Sequence, residues 1–217
     1  MLRIENLTIP GLPPLSFEVP SGQCLAVIGP SGTGKTRLLR AIADLDPAEG
    51  QVFLDGAERA EMPGWQWRRL VRYAGAEPAW WTDTPRSAFP AEPTVLKRAE
   101  KLAADLGLPE DALDRAVAHL STGERQRLAL VRALADQPRV LLLDEPTGAL
   151  DTQTAALAEE LIRYQALAGR SVILVSHAPE QVERLATARL VLKPVPAEPV
   201  LAPRQSAPAA TSAARRL

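Results

Sequence analysis

The apolar residues of this chain fall into two patterns that alternate along its length. Short continuous apolar runs bounded by turn residues predict strands that are covered on both faces of a sheet. Apolar residues spaced three or four positions apart predict helices with one buried side. The predicted strands cover residues 2–9, 15–19, 24–28, 51–54, 140–144 and 172–175, and the predicted helices cover 37–43, 94–108, 109–120 and 123–136.

The order of these elements predicts an α/β fold with a mostly parallel sheet, because strands alternate with helices. The first two strands are joined by a short Pro/Gly turn at 10–14, which predicts an antiparallel pair at the N-terminal end. A Pro- and Trp-rich loop followed by helical spacing predicts a helical subdomain at about 77–120, within a domain that covers 1–193. Residues 194–217 are rich in Pro, Ala and Ser without periodicity, which predicts a disordered tail.

Composition narrows the class of protein. The chain has 217 residues, 46% of them hydrophobic and 24% charged, which suits a globular domain with a sizeable core. A formal net charge of −1 gives no electrostatic reason to expect nucleic-acid binding. Cys24 is the single cysteine and lies in a predicted strand, so we expect a buried thiol in a reducing compartment. Neither a signal peptide nor a membrane-spanning run is predicted, and we therefore expect a cytoplasmic protein.

The segment after the third predicted strand describes a phosphate-binding loop. It reads GPSGTGKT, and it fits the pattern of Gly, four free positions and Gly-Lys-Thr between a strand and a helix. Glycines let the backbone turn tightly and present its N–H groups, and the helix N-terminus adds a partial positive charge. We expect Lys35 to reach the β- and γ-phosphates and Thr36 to coordinate Mg²⁺. The predicted nucleotide-binding residues are Gly29, Pro30, Ser31, Gly32, Thr33, Gly34, Lys35 and Thr36.

Two later strands end in residues suited to hydrolysis. The run VLLLDE carries Asp144 and Glu145 to the carboxyl end of a buried strand, where ligands bind in open α/β sheets. We expect Asp144 to hold Mg²⁺, usually through water, and Glu145 to act as general base on the attacking water. A second apolar strand ends at Ser176 and His177. We expect His177 to contact the γ-phosphate and to hold the water and Glu145 in position.

The segment LSTGERQR provides a second candidate anion site. Ser121 and Gly123 stand at the start of a predicted helix, where a hydroxyl and backbone donors meet the positive end of the helix dipole. Ser121 followed three residues later by Glu124 is also the pattern of a capping box, which satisfies a helix end without any ligand. The residues alone allow both interpretations.

In this order the motifs resemble the ATP-binding cassette (ABC) family over residues 1 to about 193. GPSGTGKT looks like the Walker A motif, VLLLDE like Walker B, LSTGERQ like the signature LSGGQ, and His177 like the switch histidine. The resemblance implies a P-loop NTPase fold with an ABC-type core, ATP and Mg²⁺ as cofactors, and a head-to-tail homodimer that closes on ATP. It also implies that the signature acts on the partner's nucleotide. The residues concerned are Ser121, Thr122, Gly123 and Glu124, together with Asp151 in the segment that looks like the D-loop.

The resemblance further implies a function in transport. Such a subunit hydrolyses ATP and drives a separate transmembrane permease from the inner face of the cell membrane. The stretch at 81–84 looks more like exporter cassettes, and the loop that holds Trp80 and Trp81 is where family members receive their membrane partner; packing of these rings inside the helical region is the alternative. Two rival functions remain, which are a soluble ABC-class ATPase acting on DNA or ribosomes and a weakly hydrolysing nucleotide-dependent regulator.

Three positions depart from the family's pattern. Thr122 stands where the signature usually has glycine, and a β-branched residue is disfavoured there if the position requires a positive φ. Ala76 stands where family members usually have a glutamine; alanine can neither ligate Mg²⁺ nor bond the water, although Glu77 is a partial substitute. Only Ile9 and Pro10 occupy the region where an aromatic usually stacks on the adenine, so we expect weaker adenine binding or an aromatic from elsewhere.

Overall fold

The computed structural model describes residues 1–193, and the predicted tail at 194–217 lies outside the described residues. The strands are β1 (Leu2–Thr8), β2 (Leu15–Val19), β3 (Cys24–Ile28), β4 (Glu49–Leu54), β5 (Ala57–Glu58), β6 (Val71–Ala74), β7 (Val140–Asp144), β8 (Ser171–Val175) and β9 (Ala188–Val191). The α-helices are α1 (Lys35–Ile42), α2 (Gly64–Leu70), α3 (Pro93–Asp105), α4 (Thr122–Leu134), α5 (Thr152–Leu167) and α6 (Pro179–Leu185).

Two sheets organise these elements, and they confirm the predicted fold class. A five-stranded sheet has the order β6-β7-β8-β3-β9, and every neighbouring pair in it is parallel. A four-stranded antiparallel sheet has the order β2-β1-β4-β5 and contains the predicted N-terminal pair. Because consecutive strands of the parallel sheet are separated by helices, their carboxyl ends all meet at one edge.

The parallel sheet separates two apolar cores. Alternate side chains of a strand point to opposite faces. In β7, Leu141 and Leu143 pack into a core shared with α3, α4 and α5, while Val140 and Leu142 pack into a core shared with α1 and the antiparallel sheet. Burial on both faces explains why β3, β7 and β8 were visible in the sequence as continuous apolar runs. The less buried β6 and β9 were not predicted. Cys24 is buried in the first of these cores, and burial raises the pKa of its thiol to about 12.

The prediction of a helix over 109–120 was wrong. That segment consists of turns, followed by a short 3₁₀ helix at Val117–His119. Its backbone pairs with a neighbouring loop instead of along a helix: the Leu113 carbonyl accepts from the N–H of Arg86 at 2.8 Å, and the Val117 N–H donates to the Asp83 carbonyl at 2.8 Å. These tertiary hydrogen bonds override a helical spacing that is only weakly supported by propensity.

Helix α2 was missed in the sequence, and it explains one of the four tryptophans. Trp67 is fully buried on α2, where its indole N–H donates to the carbonyl oxygen of Ile42 at 2.9 Å. The N–H of a buried tryptophan usually finds such a partner. This bond fixes α2 against the end of α1, next to strand β6. Within residues 1–193, none of the helices combines the length and the apolar character needed to cross a membrane.

Candidate functional site

The loop between β3 and α1 has the geometry of a phosphate cradle. Gly34 is the N-cap of α1 in a left-handed conformation (φ 90°), and no side chain caps this helix end. A Cβ on Gly29 would lie 2.5 Å from the carbonyl oxygen of Leu192, so only glycine fits there. Lys35 is 7% exposed, and its ammonium donates to the carbonyl oxygens of Gly29 and Pro30 at 2.8 and 3.0 Å. The loop therefore presents uncapped backbone donors and one cation.

Asp144 is the centre of an oxygen cluster beside this loop. It lies at the end of β7 and is only 3% exposed. The Thr36 hydroxyl donates to its Oδ2 at 2.7 Å, and the Tyr73 phenol donates to the same oxygen at 3.2 Å. Burial and the neighbouring carboxylate raise the pKa of Tyr73, which keeps the phenol protonated as a donor.

These oxygens fit Mg²⁺ and fit softer metals poorly. Magnesium prefers hard oxygen ligands and is usually held by one or two carboxylates together with substrate phosphates. Thr36 and Asp144 supply a hydroxyl and a carboxylate next to the phosphate loop. Within the part of the chain that the structure describes, no cluster of three or more His, Cys, Asp or Glu side chains could hold a metal.

Glu145 is held in an unusual backbone conformation directly after β7. Its φ is 49°, a left-handed value that costs a non-glycine residue about 1–2 kcal/mol. Two hydrogen bonds fix this conformation. The Glu145 N–H donates to the Val175 carbonyl, and its own carbonyl accepts from the Gln126 side chain, both at 3.0 Å. Gln126 is buried on α4, so the helix that begins at the signature also determines how Glu145 is aimed.

The carboxylate of Glu145 faces His177. The His177 N–H donates to Glu145 Oε2 at 3.3 Å, and His177 Nε2 lies 3.4 Å from Oε1 without the geometry of a hydrogen bond. Oε1 is buried and has no hydrogen-bond partner among the described residues. Burial raises the pKa of Glu145, and the backbone and side chain of His177 offset part of that rise. A carboxylate with raised basicity and one unsatisfied oxygen suits a general base that accepts a proton from water.

The signature segment forms a complete capping box at the start of α4. Ser121 Oγ accepts from the N–H of Glu124 at 3.2 Å, and Glu124 accepts from the N–H of Ser121 at 2.8 Å. Arg115 also donates to Glu124 at 2.8 Å, and these contacts lower the pKa of that carboxyl group. Ser121 is exposed, and no hydrogen bond in residues 1–193 joins it to the phosphate loop. The structure therefore joins Thr36 and Asp144 by a hydrogen bond, whereas the hydrogen bonds of Ser121 stay within the signature segment.

Asp151 in the D-loop segment is the N-cap of α5. Its carboxylate accepts from the N–H groups of Gln153 and Thr154 at 2.9 and 3.0 Å, which lowers its pKa. Upstream in the same loop, Thr147 accepts from the buried Gln181 side chain at 2.8 Å. Since Gln181 lies on α6, directly after His177, this bond connects the histidine segment to the D-loop.

The three departures from the family's pattern have distinct structural settings. Thr122 lies in the first turn of α4 and has no positive φ, so the strain that its branched side chain would cause there does not arise. Ala76 and Glu77 are both exposed, and the Glu77 carboxylate makes no hydrogen bond among the described residues. Ile9 is buried at 3% exposure, which removes it as a surface for adenine, whereas Pro10 is exposed.

Trp80 and Trp81 differ in how far their rings are buried. Trp80 is partly buried against the core, while Trp81 is 70% exposed. Arg132 stacks on both rings, with its guanidinium carbon 4.5 and 4.6 Å from the ring centroids, and burial lowers its pKa to about 10. Trp81 and Arg132 line a groove of about 480 Å³ together with Phe89, which we call the tryptophan groove.

Two residues of the site were missed in the sequence. Tyr73 lies on β6, where its neighbours two positions away share its face of the sheet, but a single aromatic gives no sign of a carboxylate partner. Gln126 offered a clearer signal. It falls on the apolar stripe of α4 with Leu130 and Ala133, and a polar residue on a buried stripe requires a hydrogen-bond partner.

Known proteins with similar sequence and structure identify the family of this chain. The family model described as ABC transporter matches residues 12–148. An aliphatic sulfonates import ATP-binding protein of Agrobacterium fabrum is 40% identical over 82% of this chain and 69% of its own length. A sulfate/thiosulfate import ATP-binding protein of Acinetobacter baylyi is 38% identical over 88% of this chain, which spans only 58% of that relative.

A solved structure gives the same fold. It is the dimeric structure of a post-hydrolysis state of an ATP-binding cassette bound to ADP and Pi, with a TM-score of 0.77 and 23% identity. The match covers 89% of this chain and 94% of that one. The family model covers more than half of the chain, and its matched region at 12–148 contains the phosphate loop, the Walker B strand and the signature. The chain therefore belongs to the ABC transporter family.

Proposed function

We propose that this protein is the ATP-binding and ATP-hydrolysing subunit of an ABC transporter. One observation carries the proposal: the parallel sheet brings Thr36, Asp144, Glu145 and His177 to the same edge as the phosphate loop. A nucleotide site needs a cradle for phosphates, oxygen ligands for the metal and a base for the water. These requirements are met within one short stretch of sheet edge.

Each residue has a defined task in this proposal. The backbone N–H groups of residues 29–36 and the Lys35 ammonium bind the β- and γ-phosphates. Thr36 and Asp144 hold Mg²⁺, which when bound neutralises charge on the phosphates. Glu145 accepts a proton from the attacking water through its unsatisfied Oε1. His177 holds the Glu145 carboxylate through its backbone N–H and presents its exposed ring to the γ-phosphate.

The signature residues act on a second nucleotide in this proposal. Ser121, Thr122, Gly123 and Glu124 make no hydrogen bond to the phosphate loop among residues 1–193, and Ser121 is exposed. A head-to-tail homodimer gives this exposed helix start a phosphate to bind, with Asp151 close to the same interface. The dimeric form of the similar cassette structure supports that arrangement.

A separate transmembrane permease is the partner that we propose. The tryptophan groove supports a docking role, because Trp81 is 70% exposed where it lines a concave surface, and aromatic residues are enriched in protein–protein interfaces. In this proposal the protein binds at the cytoplasmic face of a membrane through its partner. The named relatives are import proteins, so they favour import and do not support the exporter suggested by the sequence.

The enzymatic part of the proposal is tested by Glu145→Gln. The amide keeps the size of the side chain and loses the base, so turnover falls by about 10²–10⁴-fold while ATP binding is retained. The variant is then expected to run as a dimer on gel filtration with ATP and Mg²⁺. Glu110→Gln, at an exposed turn position, is the matched control and keeps full turnover. Full turnover in Glu145→Gln would contradict the proposed base.

The partner is tested by Trp81→Ala. Loss of an anchoring aromatic usually costs about 2 kcal/mol or more of binding free energy, a thirtyfold loss of affinity. The variant is expected to leave host membranes while its ATP turnover in isolation is unchanged. Trp65→Ala removes another exposed tryptophan, on α2, and is expected to remain on the membrane. Equal release of both variants would argue against a specific tryptophan groove.

A weakly hydrolysing regulator is the second candidate, and the exposed Ala76 is the observation that favours it. The side chain at this position offers no oxygen to the metal or to the attacking water. The turnover number of the wild-type protein decides between the two candidates. A value near that of Glu145→Gln would favour the regulator.

A further inference from the structure

The cluster at Asp144 contains one polar group that the proposed hydrolysis does not use. The Tyr73 hydroxyl lies 3.2 Å from Asp144 Oδ2, the same oxygen that accepts from Thr36 at 2.7 Å. Asp144 Oδ1 accepts no hydrogen bond from the described residues. The two donors therefore occupy one carboxylate oxygen and leave the other available for a metal or its water.

The chain provides room for this phenol. A Cβ on Gly75 would lie 3.1 Å from the Tyr73 hydroxyl and 3.2 Å from a ring carbon, which is tighter than ordinary contacts. Glycine at this position thus lets the strand end turn past the ring. The next residue, Ala76, is exposed and has no polar side chain to contribute. Glu77 is also exposed and makes no hydrogen bond among residues 1–193.

We propose that Tyr73 is a positioning residue for Mg²⁺-nucleotide binding, and that its hydroxyl orients Asp144 where the chain has Ala76 instead of a polar side chain. A carboxylate that ligates a metal or its water is usually held by outer hydrogen bonds, and their loss typically costs 10–100-fold in metal affinity. The hydroxyl of Tyr73 is such an outer contact. This inference rests on the proposed nucleotide site.

The experiment measures binding of a non-hydrolysable ATP analogue to the full chain across a titration of Mg²⁺ and, separately, in EDTA. Tyr73→Phe removes one oxygen and keeps the ring. We expect the Mg²⁺ concentration for half-saturation to rise about tenfold, with the affinity in EDTA unchanged. Tyr164→Phe is the matched control, because Tyr164 is the second of the chain's two tyrosines and lies exposed on α5. It is expected to change neither the Mg²⁺ concentration for half-saturation nor the affinity in EDTA.

A rescue variant separates positioning from packing. If the phenol compensates for the missing polar side chain, Ala76→Gln in the Tyr73→Phe background restores most of the Mg²⁺ dependence. A packing defect would lower binding equally in Mg²⁺ and EDTA and would not respond to Ala76→Gln. That result, or unchanged Mg²⁺ dependence in Tyr73→Phe, overturns the inference. If wild-type protein binds no nucleotide under either condition, the proposed function itself fails.

Discussion

Two helix N-termini in this molecule, those of α1 and α4, looked alike in the sequence as anion sites and differ in the structure. The start of α1 has Gly34 as N-cap and no side-chain hydrogen bond, so its N–H groups are satisfied only by a ligand or solvent. The start of α4 is closed by the reciprocal bonds between Ser121 and Glu124. One end is built to receive phosphate, whereas the other is already stable by itself.

The difference shows how a helix end can serve binding or stability. An uncapped helix end keeps its N–H groups free for a ligand, so these groups stabilise the protein only when the ligand binds. A capped end gains about 1 kcal/mol of stability at once. For α4 to bind a nucleotide as well, the Ser121 hydroxyl must contact phosphate while the cap persists or is exchanged. Substitutions at three positions test this comparison.

Lys35→Ala should have the largest effect, because it removes the one side-chain cation of the phosphate loop at residues 29–36. Charge-assisted hydrogen bonds contribute about 1.5–3 kcal/mol each, so ATP affinity falls about 100-fold or more. Isothermal titration calorimetry measures this loss. The exposed Lys97→Ala on α3 is the control and keeps wild-type affinity. An equal affinity in Lys35→Ala would mean that the α1 end is not the phosphate site.

Ser121 allows the two roles of the α4 end to be separated. Ser121→Ala removes the cap and lowers the free energy of unfolding by about 1 kcal/mol. Ser121→Asp keeps a good cap but brings a negative charge toward the phosphate, so stability is retained and the ATP-dependent dimer is lost. Urea unfolding and gel filtration of Glu145→Gln carrying each change measure the two effects. If the ATP-dependent dimer survives in Ser121→Asp, Ser121 caps α4 but does not bind phosphate.

Glu124→Gln should have the smallest effect on stability, which is present at neutral pH and disappears in acid. The backbone of Ser121 and the side chain of Arg115 hold the pKa of Glu124 below the ordinary glutamate value of 4.5. A carboxyl group whose pKa is lower in the folded state contributes stability above its unfolded pKa, and this stability is lost as pH falls through the folded pKa. The wild type should therefore lose more stability than Glu124→Gln below about pH 4.5, in urea melts across pH 3–7. Parallel pH curves would show that the cap works without charge.

The sequence predicted the phosphate loop and the Walker B strand well because both are local. The residues of GPSGTGKT are contiguous, and the apolar run before Asp144 is visible wherever a strand is buried on both faces. The contact between Tyr73 and Asp144 joins residues 71 positions apart, and no local pattern specifies it. The segment at 109–120 failed for the same reason, since its hydrogen bonds with Asp83 and Arg86 are tertiary.

The last described strand ends against the phosphate loop, and this has a practical consequence for handling the protein. The Leu192 N–H donates to Ile28 at 2.8 Å, and its carbonyl oxygen is the atom that excludes a Cβ from Gly29. Met1 lies at the opposite edge of the parallel sheet, paired with Asp55, which in turn contacts Arg139 just before β7. A purification tag or fluorophore attached after Lys193 therefore starts beside the nucleotide site, and one attached at the N-terminus starts at the far edge.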